Sequence, residues 1–212
     1  MIAQSSILLA LIATVFAATY FGTRAAIRAL QGRAILDRPN ARSSHAVPTP
    51  RGGGLALVPA VLAAWLVVAQ ASGGLDTEFL AVLLGAVLLG AVSWLDDLRG
   101  LPVLVRLAAQ AAAIGTVLTA SGEPPVFGGL LPGWADALAA GLVWLWFVNL
   151  YNFMDGIDGL AGTETASIGI GVAAVAAIAG LSLEPIAYGL AVAAAAAAFL
   201  IWNWQPARVF LG

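Results

Sequence analysis

Cysteine and lysine are both absent from the chain, and histidine occurs once. With no cysteine the chain offers no disulfide and no redox signature. Charge is scarce as well: 9% of the 212 residues are charged, against about 25% in an ordinary soluble domain. That deficit excludes a typical soluble globular protein, and a nucleic-acid partner is not expected. What fills the space is apolar: 61% of residues are hydrophobic and the mean hydropathy is +0.97. Composition of this kind places the chain among integral membrane proteins.

Crossing roughly 30 Å of hydrocarbon takes about 20 mostly apolar residues. Segments of that kind fall near 4–22, 54–71, 79–95, 103–120, 134–151, 160–180 and 186–203. The expected fold is therefore all-α, a polytopic bundle of about seven transmembrane helices in one domain, 1–212. The opening stretch "MIAQSSILLALIATVFAATYFG" lacks the positive flank of a secretory signal, and its arginines follow the apolar run; it reads as a retained first span. Short connections rich in Gly, Pro and polar residues separate the spans, as turns should.

All nine basic residues are arginine: Arg24, Arg28, Arg33, Arg38, Arg42, Arg51, Arg99, Arg106 and Arg208. Seven spans put all of them on one membrane face, whereas "ASGGLDTE", "SGEPPVFGGLLPG" and "LSLEP" on the other face carry acids and no base. The positive-inside rule makes the arginine face cytoplasmic, with the N-terminus outside and Gly212 inside.

The chemically rich segments fall on that same face. They are "LDRPNARSSHAVPTPRGGG" with Asp37, Arg38, Arg42, His45 and Arg51, "WLDDLRGLP" with Asp96 and Asp97, and "NLYNFMDGIDGL" with Asn149, Asn152, Asp155 and Asp158. Each has an ordinary explanation, since loop arginines orient membrane proteins, a lone histidine is usually idle, and acids at helix ends are usually solvated. Those explanations leave open why four carboxylates should gather at the ends of spans 3 and 5, on a face loaded with arginine. Charge at membrane depth is costly and tends to mark function.

Four carboxylates repel one another unless a cation intervenes. An oxygen-donor set of Asp and Asn, with no Cys and no clustered His, favours Mg²⁺ or Mn²⁺ over zinc. Arginines suit bidentate contact with phosphate, and a Gly-rich turn lets backbone N–H groups approach an anion. If 149–155 is helical, Asn149, Asn152 and Asp155 share a face at i, i+3 and i+6, and Gly156 and Gly159 then turn Asp158 back towards it. The residues point to Mg²⁺-dependent phosphoryl chemistry on a substrate reached from the cytoplasm. Small residues such as Gly85, Gly90, Gly169 and Gly171 permit close helix packing, within the chain or in a homodimer.

Four stretches, "DRPNARSSHAVPTPRGG" (37–53), "DDLRGL" (96–101), "NFMDGIDGL" (152–160) and "WNWQPARVFLG" (202–212), occur in order at the ends of spans. Together they resemble the polyprenyl-phosphate N-acetylhexosamine-1-phosphate transferases, whose motifs run D-x-P-N-x-R-x-x-H, an acidic pair, N-x-x-D-G-x-D-G-L, and F-N-x-x-P-A-x-x-F-M-G-D. The resemblance implies transfer of a sugar 1-phosphate from a UDP-N-acetylhexosamine to undecaprenyl phosphate with release of UMP, initiating a cell-envelope glycan of the O-antigen kind. It also implies a multi-pass protein of the bacterial inner membrane with its site towards the cytoplasm. By the same resemblance Asp96 and Asp97 are catalytic, acting on the lipid phosphate, and Asn152 is a Mg²⁺ ligand (Mn²⁺ as the alternative). Asp155, Asp158, Asn149, Arg38, Arg42 and His45 then contact substrate.

Two departures stand out. Arg42-Ser43-Ser44-His45 replaces the Arg-Lys that many members place before the histidine, as in the O-antigen initiating branch. The sequence also ends at Gly212, where the family continues with the Asp of M-G-D and further spans, so the chain is expected to be the N-terminal part of a longer transferase, inactive alone. Two other readings stay open: an ion-coupled transporter, which would place its acids near mid-span, and a catalytically silent fragment that binds lipid phosphate.

Overall fold

A computed structural model describes residues 2–37, 39, 47–122 and 125–212, the side chains of 2–4 excepted. Arg38, Arg42 and His45 lie outside the described residues. Seven helices occur among the described residues: α1 (Ile2–Gly32), α2 (Gly54–Ser72), α3 (Thr77–Arg99), α4 (Val103–Ala120), α5 (Gly133–Met154), α6 (Leu160–Ile178) and α7 (Leu183–Asn203). All seven are long and apolar enough to cross a membrane. A two-stranded antiparallel ladder, β1 (Leu36–Asp37) and β2 (Thr49–Pro50), pairs Leu36 with Pro50 and Asp37 with Thr49 between α1 and α2.

The expected spans and the observed helices coincide within a few residues except in α1. The sequence reading ends that span at 22, whereas the helix continues to Gly32. The extension "TRAAIRALQG" consists largely of good helix formers, and it carries Ile27 and Leu30, both buried, one turn apart. At 1.5 Å per residue a helix of 31 residues is about 46 Å long. That exceeds the roughly 30 Å of hydrocarbon that a span has to cross.

The chain divides into two compact units, Met1–Gly74 with Met154–Gly212, and Leu75–Phe153. In the first, α7 is the central element, packed against α1, α2 and α6. Val15 and Ile27 of α1, Leu57 and Val61 of α2, Ala191, Ala195 and Phe199 of α7, and Val209 form its core. The alanine run of α7 allows close approach. Where α6 crosses α7, a Cβ on Gly169 would sit 2.6 Å from the Gly189 carbonyl oxygen, and one on Gly189 would sit 2.6 Å from that of Gly169. Gly169 thus serves internal packing; Gly171, two residues on, has open space around its Cβ position.

In the second unit α3 packs on α4. Here a Cβ on Gly85 would be in ordinary contact with Ala113, and one on Gly141 of α5 with Leu118 and Ile114 of α4. Asp136 in the first turn of α5 is buried, its two oxygens accepting the backbone N–H groups of Phe127 and Val126 at 2.9 and 2.8 Å. The long apolar side chains of α5, among them Trp134, Leu142 and Trp146, are exposed, as lipid-facing side chains are.

Candidate active site

Described parts of three of the four sequence motifs meet in the first unit. The β1–β2 ladder sets Arg51 beside Asp37, and the guanidinium donates to Asp37 Oδ1 at 2.6 Å. Immediately afterwards the glycine turn opens α2. Gly52 and Gly53 donate their N–H groups to the Phe210 carbonyl at 3.2 and 2.9 Å, and Gly54 donates to that of Leu211 at 2.7 Å. Phe210 N–H returns a bond to the Pro50 carbonyl at 2.8 Å. These contacts correct the expectation that the turn receives an anion. The orphan donors of a helix start need acceptors, and here the carbonyls of 210–211 supply them. Only glycine fits at position 53, where a Cβ would lie 2.5 Å from the Phe199 ring and 3.0 Å from the Phe210 carbonyl oxygen.

The two-aspartate turn is held by the same segment. Helix α5 ends at Met154, one residue short of Asp155, so the shared helical face carries Asn149 and Asn152 while Asp155 begins the turn. Asp155 Oδ1 accepts Leu211 N–H at 2.9 Å and Oδ2 accepts Gly212 N–H at 2.8 Å. Burial pushes the Asp155 carboxyl above the usual carboxylate range, opposed by those two amides and by the Arg51 charge and reinforced by Asp37. Asp158 Oδ2 accepts Ala207 N–H at 3.0 Å. Its Oδ1 is buried and has no hydrogen-bond partner among the described residues, an unusual condition for a carboxylate oxygen. Both carboxylates thus face the segment 207–212, as the glycines on either side of Ile157 and Asp158 suggest.

Asn203, which sequence reasoning passed over, joins the motifs. It is fully buried, accepts Gly159 N–H on Oδ1 at 3.1 Å, and donates from Nδ2 to the Val209 carbonyl at 2.9 Å. Gly159 takes a left-handed φ of 75°, which turns the chain into α6 and aims its N–H at Asn203. A signal was present: Asn203 is the one strongly polar residue in "AAFLIWNW", at the end of an otherwise apolar helix.

The acidic pair belongs to the second unit. Asp96, in the last turn of α3, accepts Leu101 N–H on Oδ1 at 2.6 Å and the Arg106 guanidinium on Oδ2 at 2.9 Å. Both oxygens are thereby committed to the α3–α4 turn, which passes through Gly100 in a left-handed conformation. Asp97 is half-buried beside it. On α5, the Asn149 amide nitrogen donates to Gln110 Oε1 at 2.7 Å and to the Leu145 carbonyl at 2.8 Å, while Asn152 is exposed one turn further on.

Among the described residues no three His, Cys, Asp or Glu side chains gather closely enough to hold a metal ion. Asn152 offers one neutral oxygen, and the Asp155 oxygens are taken by backbone amides. The described residues do not by themselves fit a complete Mg²⁺ site.

Comparison with known proteins follows the same motifs. The family described as glycosyl transferase family 4 matches residues 79–212. The chain is 31% identical over 189 residues to a probable undecaprenyl-phosphate N-acetylglucosaminyl 1-phosphate transferase of Bacillus subtilis (strain 168), covering 84% of this chain and 50% of that protein. It is 30% identical over 225 residues to the decaprenyl-phosphate N-acetylglucosaminephosphotransferase of Mycobacterium tuberculosis (strain CDC 1551 / Oshkosh), covering 92% and 53%. A phospho-N-acetylmuramoyl-pentapeptide-transferase of Picosynechococcus is 34% identical over 186 residues, covering 77% and 48%. The chain spans about half the length of these relatives. A seven-helix membrane chain whose family match takes in the acidic pair, the two-aspartate turn and the segment that closes over it belongs to glycosyl transferase family 4.

Proposed function

We propose that this chain carries part of the catalytic machinery that transfers a sugar 1-phosphate, of N-acetylhexosamine type, from a UDP-sugar to undecaprenyl phosphate. UMP is released and a cell-envelope glycan is initiated at the cytoplasmic face of the bacterial inner membrane. The observation that carries the proposal is the Asp155–Asp158 turn: two carboxylates held by the backbone of 207–212 near the Arg51–Asp37 pair, with Asp158 Oδ1 buried and without a partner among the described residues. A buried oxygen left without a donor suits a ligand that brings one, and the nucleotide sugar is rich in N–H and O–H groups.

The reaction forms a bond from a lipid-phosphate oxygen to the sugar-bearing phosphorus and breaks the bond from that phosphorus to the UMP oxygen. A phosphate monoester has a second pKa near 6, so the lipid phosphate is mostly dianionic at neutral pH and needs little help from a base. Positioning and charge neutralisation then carry most of the rate. Asp96 and Asp97 keep their proposed role at the lipid phosphate, with Asp96 oriented by the Leu101 N–H and the Arg106 guanidinium. Arg38, Arg42, His45 and Asn149 keep their proposed substrate contacts, and Asn152 its proposed place beside Mg²⁺ (or Mn²⁺), with the remaining ligands to come from outside the described residues.

The ion-coupled transporter gains no support, since Asp96 lies in the last turn of α3 and Asp155 and Asp158 follow α5, away from mid-span. The test is UMP release from labelled UDP-N-acetylglucosamine in membranes that contain the full-length protein and undecaprenyl phosphate. Asp97→Asn is expected to cost about 10²–10³ in rate, the usual consequence of removing a preorganised electrostatic contact. Near-normal turnover by this variant in correctly inserted protein would remove Asp97 from the proposal. Residues 1–212 alone are expected to insert without transferring sugar phosphate, and robust turnover by them would overturn the reading of an incomplete metal site.

A further inference from the structure

A cavity of about 390 Å³ opens where the end of α1, strand β2 and the 202–208 stretch meet, with Arg24, Arg28, Gln31, Thr49, Trp202 and Arg208 in its wall. Its wall shares Ala207 with the candidate active site, where the Ala207 N–H bonds Asp158, but none of that site's acids or asparagines. Arg24, Arg28 and Gln31 stand at i, i+4 and i+7, on one face of α1. Among the described residues no Asp or Glu lines the cavity and none of the three arginines in its wall makes an ion pair. Like charges at i and i+4 repel, so Arg24 and Arg28 destabilise their own helix unless an anion lies between them. Arg208 reaches in from the opposite wall, its guanidinium 5.9 Å from the centre of the Trp202 ring. The Trp202 indole N–H is itself buried without an acceptor among the described residues.

We propose that this cavity binds a phosphate-bearing anion, with the headgroup of an anionic bilayer phospholipid as its source. Three guanidiniums and an unused indole N–H are donors only, which matches the acceptor-only oxygens of a phosphate. Location favours the lipid. The cavity lies at the end of a helix longer than a span requires, next to a Tyr20–Trp202 pair with ring centres 5.1 Å apart; aromatic residues of this kind concentrate at the headgroup level. Basic pockets at the ends of membrane helices are where anionic headgroups are held. This inference is independent of the transfer reaction.

The experiment measures lipid retained by purified protein, by native mass spectrometry, after reconstitution in phosphatidylcholine with and without phosphatidylglycerol. Inorganic phosphate is titrated in a separate arm and followed by thermal unfolding. Arg24→Gln with Arg28→Gln is expected to lower phosphatidylglycerol retention about thirtyfold, the size of two arginine–headgroup contacts. Thermal stability without lipid should be unchanged or raised, because the i, i+4 repulsion is relieved. Arg208→Gln, which leaves α1 untouched, should also weaken retention. Arg33→Gln, the same charge change just outside the cavity, should not. Stabilisation by inorganic phosphate alone, lost in the same variants, would keep the anion site and make its source soluble. Equal retention by the wild type and both cavity variants, or an equal loss in Arg33→Gln, would overturn the proposal.

Discussion

Asn203 and Asp155 show how single polar groups hold this site together. Replacing Asn203 by Ala leaves Gly159 N–H and the Val209 carbonyl buried without partners, at about 1–3 kcal/mol each. A loss of about 2–6 kcal/mol should appear in detergent unfolding, while Asn149→Ala, at an exposed position, should stay within about 1 kcal/mol. Equal effects of the two would refute the assignment of Asn203 as the joint. Asp155 has a pH signature. Burial raises its folded-state pKa above the unfolded value of about 3.9, so the folded chain binds this proton more readily than the unfolded chain. The associated stability is full below about pH 4 and is lost as pH rises towards the raised value. Asp155→Asn cannot titrate and can accept only one of the two N–H groups, so it starts less stable. Its deficit should shrink as pH rises across that window, and a deficit that stays constant or grows would contradict the burial effect.

Among the elements, the α6–α7 crossing makes the sharpest demand. The backbones approach so closely at Gly169 and Gly189 that any side chain would enter the facing backbone. Gly169→Val should therefore separate the helices and destabilise the first unit by about 3 kcal/mol, the upper end of the usual overpacking range. Gly171→Ala on the same helix meets open space and should change stability by less than about 1 kcal/mol. Thermal unfolding of the two variants side by side distinguishes a specific crossing from a general wish for small residues. At sequence level Gly169 and Gly171 were equivalent, both small and both in α6. They separate only once the face that meets α7 is known.

For the whole molecule, the segregation of all nine arginines sets the topology expected in a cell. Because the chain has no cysteine, single cysteines placed at Ser43, Gly73, Arg99 or Gly122 report without background. Residues 43 and 99 should be shielded from a membrane-impermeant thiol reagent in intact cells, and residues 73 and 122 should be labelled. External labelling at 43 would invert the arrangement.

Helix number and position were legible in the chain because burial in lipid imposes a length and a composition on every span, and both are local properties of sequence. The candidate residues could be nominated too, since acids and amides are rare enough in an apolar chain to stand out. What each does was decided by partners far away in sequence. Asp96 is joined to the Leu101 amide and to Arg106, five and ten residues further along the chain. The glycines at 52–54 looked like an anion cradle until the carbonyls of 210–211 took their N–H groups. Asn203 gained its importance from Gly159 and Val209, and Arg24, Arg28 and Arg208 line one cavity only because the end of α7 returns to the end of α1. Hydropathy is summed along the chain and survives without a fold; a hydrogen bond joins two groups, and only tertiary structure names the second.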